Sequence, residues 1–161
     1  MPPDSRRVYA TQRIRIVRTV RAPAAYVYDW CTDYRDDDWK VPRPGTHPQF
    51  RVLRLSPHRV IRIRLTPGSG PDPEVAVDLV RLTPPYRWHT DQIDEQELET
   101  VDYRVRRRGR ERSRLEVRVT DRWMTPHHLA RAETARRVRG AWERYAGQIE
   151  ARYRNGLPAR G

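Results

Sequence analysis

His89 is the residue best suited by type to move a proton, and it stands two residues before a carboxylate in Tyr86-Arg87-Trp88-His89-Thr90-Asp91. On an extended segment, residues i and i+2 share a face, so His89 and Asp91 can meet. A histidine beside a carboxylate serves as a general acid or base. The same period of two supplies a plainer account. If Tyr86 and Trp88 point inward, Arg87, His89 and Asp91 form an outward polar row, and the pattern favours this reading.

Arg18 is the second residue that invites chemistry. It interrupts the apolar face made by Ile14, Ile16 and Val20 in an alternating run. Inside a cavity it needs an acidic partner or an anionic ligand, such as a carboxylate or a phenolate. Asp102 and Asp121 would serve if they share its face. A bulge that turns Arg18 out and Val17 in is the alternative.

The remaining constellations are weaker. Asp36-Asp37-Asp38 offers hard oxygen ligands but lacks the spaced pattern of a calcium loop, and reads as a solvated acidic turn. His127 and His128 are adjacent, so on a helix they diverge by about 100° and do not make a helical metal pair. Arg106, Arg107, Arg108 and Arg110 surround Gly109 in a basic tip that could touch phosphate or an anionic surface, although such runs are usually solvated hairpin ends. The sequence has no glycine-rich phosphate loop, cysteine pair or nucleophile elbow. No cofactor and no metal are expected, and no catalytic residue can be named.

Composition narrows the classes. The chain has 161 residues and a net charge of +12. Lys40 is the only lysine, so the positive charge is almost all arginine. Arginine forks match phosphate oxygens, which makes charge-driven nucleic-acid binding one reading. The arginines are spread along the whole chain, which better fits a compositional bias than a binding face. Cys31 is the only cysteine, so no internal disulfide can form, in keeping with a cytoplasmic setting. No apolar run reaches the length of a membrane span, and the N-terminus lacks the apolar core of a secretory signal.

The elements that would position these residues follow from periodicity. Residues up to about Tyr9 read as a loose arm. Gln12–Val20 alternates as a half-buried strand. Ala22-Pro23-Ala24 ends it and opens a short helix to Thr32, with Val27, Trp30 and Cys31 on one face. Asp33 to Trp39 reads as a second short helix or turn, and Pro42, Pro44 and Gly45 as a loop. Strands are then predicted at Gln49–Leu55, Arg59–Leu65, Glu74–Leu82, Tyr86–Asp94, Leu98–Arg106 and Ser113–Trp123, separated by turns rich in proline and glycine. From Thr125 to Asn155 the apolar residues Leu129, Ala132, Ala135, Val138, Trp142, Tyr145, Ile149 and Tyr153 recur at helical steps. Gly156 and Pro158 end that helix.

The order is strand, short helices, six strands, long helix. A sheet with one apolar face needs a cover, and only the last helix is long enough. The fold class is therefore α+β, a curved antiparallel sheet against a C-terminal helix, in one domain of about residues 11–156. A cavity between sheet and helix would be the natural ligand site.

The run Ile16 to Asp33, with its strand, Ala-Pro turn, helix bearing Val27, and Asp33, resembles the START-related (SRPBCC) superfamily of helix-grip proteins. Thr83-Pro84-Pro85-Tyr86-Arg87-Trp88 strengthens the resemblance. It implies a pocket for a small hydrophobic, aromatic or lipid-like ligand. The alternative it implies is a polyketide cyclase or dehydratase, in which pocket tyrosines, Arg18 or His89 would transfer protons or stabilise an enolate. The expected ligand-binding residues are Arg18, Trp30, Trp88, Tyr103, Trp123, Trp142 and Tyr145. The superfamily has no single catalytic signature to transfer.

Overall fold

A computed structural model describes residue 8 and residues 10–36, 40, 48–68, 70–124 and 131–161. In chain order the elements are β1 (Ala10–Val20), α1 (Ala24–Cys31), β2 (Gln49–Ser56), β3 (Arg59–Thr66), β4 (Glu74–Thr83), β5 (Arg87–Ile93), β6 (Glu97–Arg107), β7 (Ser113–Trp123) and α2 (Arg131–Arg154). All the strands pair antiparallel in one open sheet, ordered β1-β7-β6-β5-β4-β3-β2. This is the α+β arrangement that the periodicity predicts. One segment differs: over its described residues 33–36 the stretch after α1 is irregular rather than helical, and residues 37–39 lie outside the described residues.

Local chemistry explains the boundaries. β6 starts at Glu97, one residue earlier than the alternation suggests, because Asp94 Oδ1 accepts from the backbone N–H groups of Gln96 and Glu97, each at 2.8 Å. That side-chain turn closes the β5–β6 hairpin. The β6–β7 tip passes through Gly109, whose φ of 119° suits a residue without Cβ. At the end of α2, Leu157 N donates to Arg152 O and Gly156 N to Tyr153 O, with Gly156 at φ 68°. This paired closure is a common helix C-terminus, and it needs the left-handed residue that Gly156 supplies.

The β1–β7 register runs unbroken from Ala10 opposite Trp123 to Val20 opposite Ser113. With no bulge between them, Ile14, Ile16, Arg18 and Val20 stay on the inner face and Val17 faces out. The inner face supplies the core: Ile14, Ile16, Val20, Val60, Val80, Trp88, Val101, Val105, Leu115, Val117 and Val119 are all buried. Each such side chain is worth roughly 1.5–3 kcal/mol of transfer free energy when fully buried. α1 closes one part of this face, against β6 and β7. α2 runs closest to β1, burying Thr134, Ala146 and Ile149. Because its backbone rides over that edge strand, side chains rather than backbone span the distance to the middle of the sheet.

Candidate functional site

The aromatic residues fill that distance. Trp88 and Tyr103 are opposite each other in the β5–β6 register and both face inward, so their rings stack with centroids 4.5 Å apart and planes at 6°. Tyr103 continues to Trp142 of α2 (5.5 Å), Trp142 to Tyr145 (5.1 Å), and Tyr145 to Trp30 of α1 (5.9 Å). On the other side, Trp88 meets Tyr28 at 5.7 Å. Two strands and two helices thus converge on one row of rings. Trp88 and Trp30 are buried, while Tyr103, Trp142 and Tyr145 remain half-buried. Edge and stacked geometries at these separations each add about 0.5–1.5 kcal/mol beyond burial.

Beside the rings lies a charged pair on the inner face of β3 and β4. Arg62 donates from Nε (2.7 Å) and from Nη2 (2.6 Å) to Oδ2 of Asp78, which is fully buried. The same guanidinium sits over the rings of Tyr34 (5.3 Å) and Phe50 (5.1 Å). Gln92, opposite Asp78 in register, satisfies both neighbours when its amide donates to Asp78 Oδ1 (3.3 Å) and accepts from Arg64 (3.1 Å). Burial pushes the phenols of Tyr34 and Tyr103 well above the usual tyrosine range, so both remain hydrogen-bond donors at neutral pH. The Tyr28 hydroxyl is buried and has no hydrogen-bond partner among the described residues.

Farther along β6 the inner face turns acidic. Glu97, Glu99 and Asp121 each place an oxygen within 4.8 Å of the other two. Burial raises Glu97 to about 7 and Glu99 to about 8, with the neighbouring Asp121 charge adding to both, and Arg137 of α2 opposing. Asp121 is raised as well, first by burial.

Of the seven expected ligand residues, Trp30, Trp88, Tyr103, Trp142 and Tyr145 join the ring row. Trp123 is buried on the inner face at the acidic end, opposite Glu97. Arg18 is on the inner face at the edge strand, where its Nη1 donates to the Val17 carbonyl at 3.2 Å. His89 faces outward, as the alternation favours. Its Nδ1 contacts Asp102 Oδ1 (2.7 Å) and its Nε2 contacts Asp91 Oδ1 (3.0 Å). Asp102 is therefore on the outer face, away from Arg18. Asp36 bonds the Val52 N–H at 2.7 Å and pairs with Arg51, which fits a solvated turn, and Asp37 and Asp38 lie outside the described residues. His127 and His128 also lie outside them. The basic tip is exposed at Arg106, Arg107, Arg108 and Arg110.

Sequence reasoning missed Tyr28, Arg62, Asp78 and the acidic cluster. The signal for the cluster was present: Glu97 and Glu99 fall on the inward parity of β6 with Val101, Tyr103 and Val105. Two glutamates on a core-facing row are unusual, because ionised carboxylates are costly to bury.

No family model and no curated protein matches the sequence. Solved structures do match in shape. The Zhui aromatase/cyclase from Streptomyces sp. R1128 has a TM-score of 0.67 at 14% identity, over 89% of this chain and 96% of that one. A START superfamily protein from Mycobacterium smegmatis has a TM-score of 0.63 at 14% identity, over 87% and 95%. A norcoclaurine synthase point mutant from Thalictrum flavum, in complex with a transition-state analogue, has a TM-score of 0.59 at 13% identity, over 88% and 93%. The chain has a START-related (SRPBCC) helix-grip fold.

Proposed function

We propose that the inner face binds a small, flat, hydrophobic or aromatic ligand between the sheet and α2. The observation that carries this reading is the continuous ring row from Tyr28 to Trp30, with its half-buried members at Tyr103, Trp142 and Tyr145. A planar ligand gains dispersion and stacking energy on those rings, and the phenol of Tyr103, with Arg62 nearby, orients its oxygen substituents. The aromatase/cyclase and norcoclaurine synthase among the similar folds support a ligand of this kind, as fold-level analogy. The single cysteine, Cys31, supports a reducing, cytoplasmic setting. Burial pushes its thiol up to about 12, so it is not a nucleophile at neutral pH.

The test is titration with 8-anilinonaphthalene-1-sulfonate and a panel of planar polyphenols, read by tryptophan quenching. Saturable quenching that weakens in Tyr103→Ala and Trp142→Ala supports the site. Quenching that stays linear with concentration for every compound overturns it.

Cyclisation or dehydration of an aromatic precursor is the enzymatic alternative. One observation favours it: Tyr28 holds against the ring row a buried hydroxyl with no partner among the described residues, and Tyr103 keeps its proton. Such donors can stabilise an enolate oxygen as charge develops on it. His89 lies on the other face of the sheet, so this reading draws on the tyrosines and Arg62. Turnover lost in Tyr103→Phe, with ligand quenching retained, separates it from simple binding.

A further inference from the structure

Among the described residues, the acidic end of the inner face gathers four buried oxygens that no N–H donor reaches. Two are the carboxylate oxygens of Asp121, which is fully buried and shares a hydrogen bond with the Glu99 carboxyl. The others are Gln12 Oε1 and the fully buried Thr134 hydroxyl. Strand register brings Gln12 and Asp121 together with Glu99. Gln12 of β1 is opposite Asp121 of β7, and Asp121 is opposite Glu99 of β6. Gln12 Nε2 donates to the Arg131 carbonyl at 2.8 Å, which ties the amide to the first described turn of α2, where Thr134 stands.

An unpartnered buried acceptor costs about 1–3 kcal/mol, and a charged one more. Here the acceptors accumulate next to two further carboxylates, and the fields of Arg137 on all three acids and of Arg64 on Glu97 offset their charge only in part. A cation bound among them would complete the balance. Oxygen-only ligands of this hardness select calcium, magnesium or manganese over softer metals. Calcium holds its oxygens at about 2.3–2.6 Å, so opposite ligands stand about 5 Å apart. The carboxylate oxygens here lie within 4.8 Å of one another, which such an ion spans without moving the strands.

We propose that Glu97, Glu99 and Asp121 bind a hard divalent cation of the size of calcium, with Gln12 and Thr134 as further oxygen donors. This departs from the sequence expectation of no metal. It does not depend on the ring row, although the site is placed to meet it: Glu99 and Tyr103 are four residues apart on the same face of β6, about 13 Å along the strand.

The test uses the full chain, stripped with chelator and titrated separately with Ca²⁺, Mg²⁺ and Mn²⁺ by calorimetry, with thermal unfolding alongside. Saturable binding of Ca²⁺ and Mn²⁺ at one ion per chain is expected, together with a rise in melting temperature of several degrees. Asp121→Asn and Glu99→Gln should each weaken binding by about tenfold or more. With Ca²⁺ present, both variants should lose the ion-dependent rise in melting temperature. A purely structural role for these residues would lower the melting temperature equally with and without ion. Absence of saturable binding of any of the three ions, or binding unchanged in both variants, overturns the proposal.

Discussion

Replacing Glu99 with glutamine should make the metal-free protein more stable at alkaline pH and leave it nearly unchanged in acid. The reason is linkage. Burial, reinforced by Asp121, holds the Glu99 carboxyl at about 8 and that of Glu97 at about 7, against an ordinary 4.5 in the unfolded chain. Below about 4.5 both states carry the protons, so the cluster costs nothing there. Between about 4.5 and 8 the unfolded chain releases protons that the folded chain keeps, so stability falls as pH rises, and the loss is complete above about 8. One carboxyl moved over that range corresponds to about 5 kcal/mol at 1.36 kcal/mol per pH unit. Glu99 and Asp121 share a hydrogen bond and titrate as a pair, so the loss on titrating that pair is expected to be about 3–5 kcal/mol. The assay is urea unfolding in chelator across about pH 4.5 to 9, comparing the native sequence with Glu99→Gln, so that every other titration cancels in the difference. The variant's curve should be flatter and lie above the native one at high pH. Two curves parallel to within about 1 kcal/mol over the whole range would refute the reasoning.

Three further outcomes are expected. Asp78→Ala should destabilise by about 3–5 kcal/mol, because it leaves Arg62 half-buried without its carboxylate, and adding Arg62→Met should recover most of that in equilibrium unfolding. Trp88→Ala should cost about 3–5 kcal/mol and abolish stacking with Tyr103, seen as a lower melting temperature and a changed near-ultraviolet dichroism spectrum. His89→Ala should change stability by about 1 kcal/mol or less and leave ligand quenching intact, because its two carboxylate contacts lie on the outer face, where ion pairs are weak.

The strands and the terminal helix were legible because their signals are local. Alternation places Ile14, Ile16 and Val20 on one face whatever the strand pairs with, and a stripe at helical spacing turns Trp142, Tyr145 and Ile149 toward any apolar surface. His89 could be assigned to the outer face for the same reason, since Trp88 beside it had to be inside. Thr134 shows where that logic fails. It lies off the expected apolar stripe, whereas Ala132, which lies on it, is exposed. The position of α2 over β1 decides which turn is covered, and no periodicity encodes that.

The sequence alone therefore determined the order of elements, the inward parity of each strand, and which aromatic rings would face the core. Those follow from steric periods of two and 3.6 residues acting on neighbouring side chains. Which inward residues meet was decided only by the tertiary structure. Trp88 stacks on Tyr103 because β5 and β6 pair in one particular register. Asp121 lies between Gln12 and Glu99 because β7 is flanked by β1 on one side and β6 on the other, though β1 lies about a hundred residues away in sequence. Long-range pairing sets those distances, and with them the ring row and the acidic cluster from which the functional proposals are drawn.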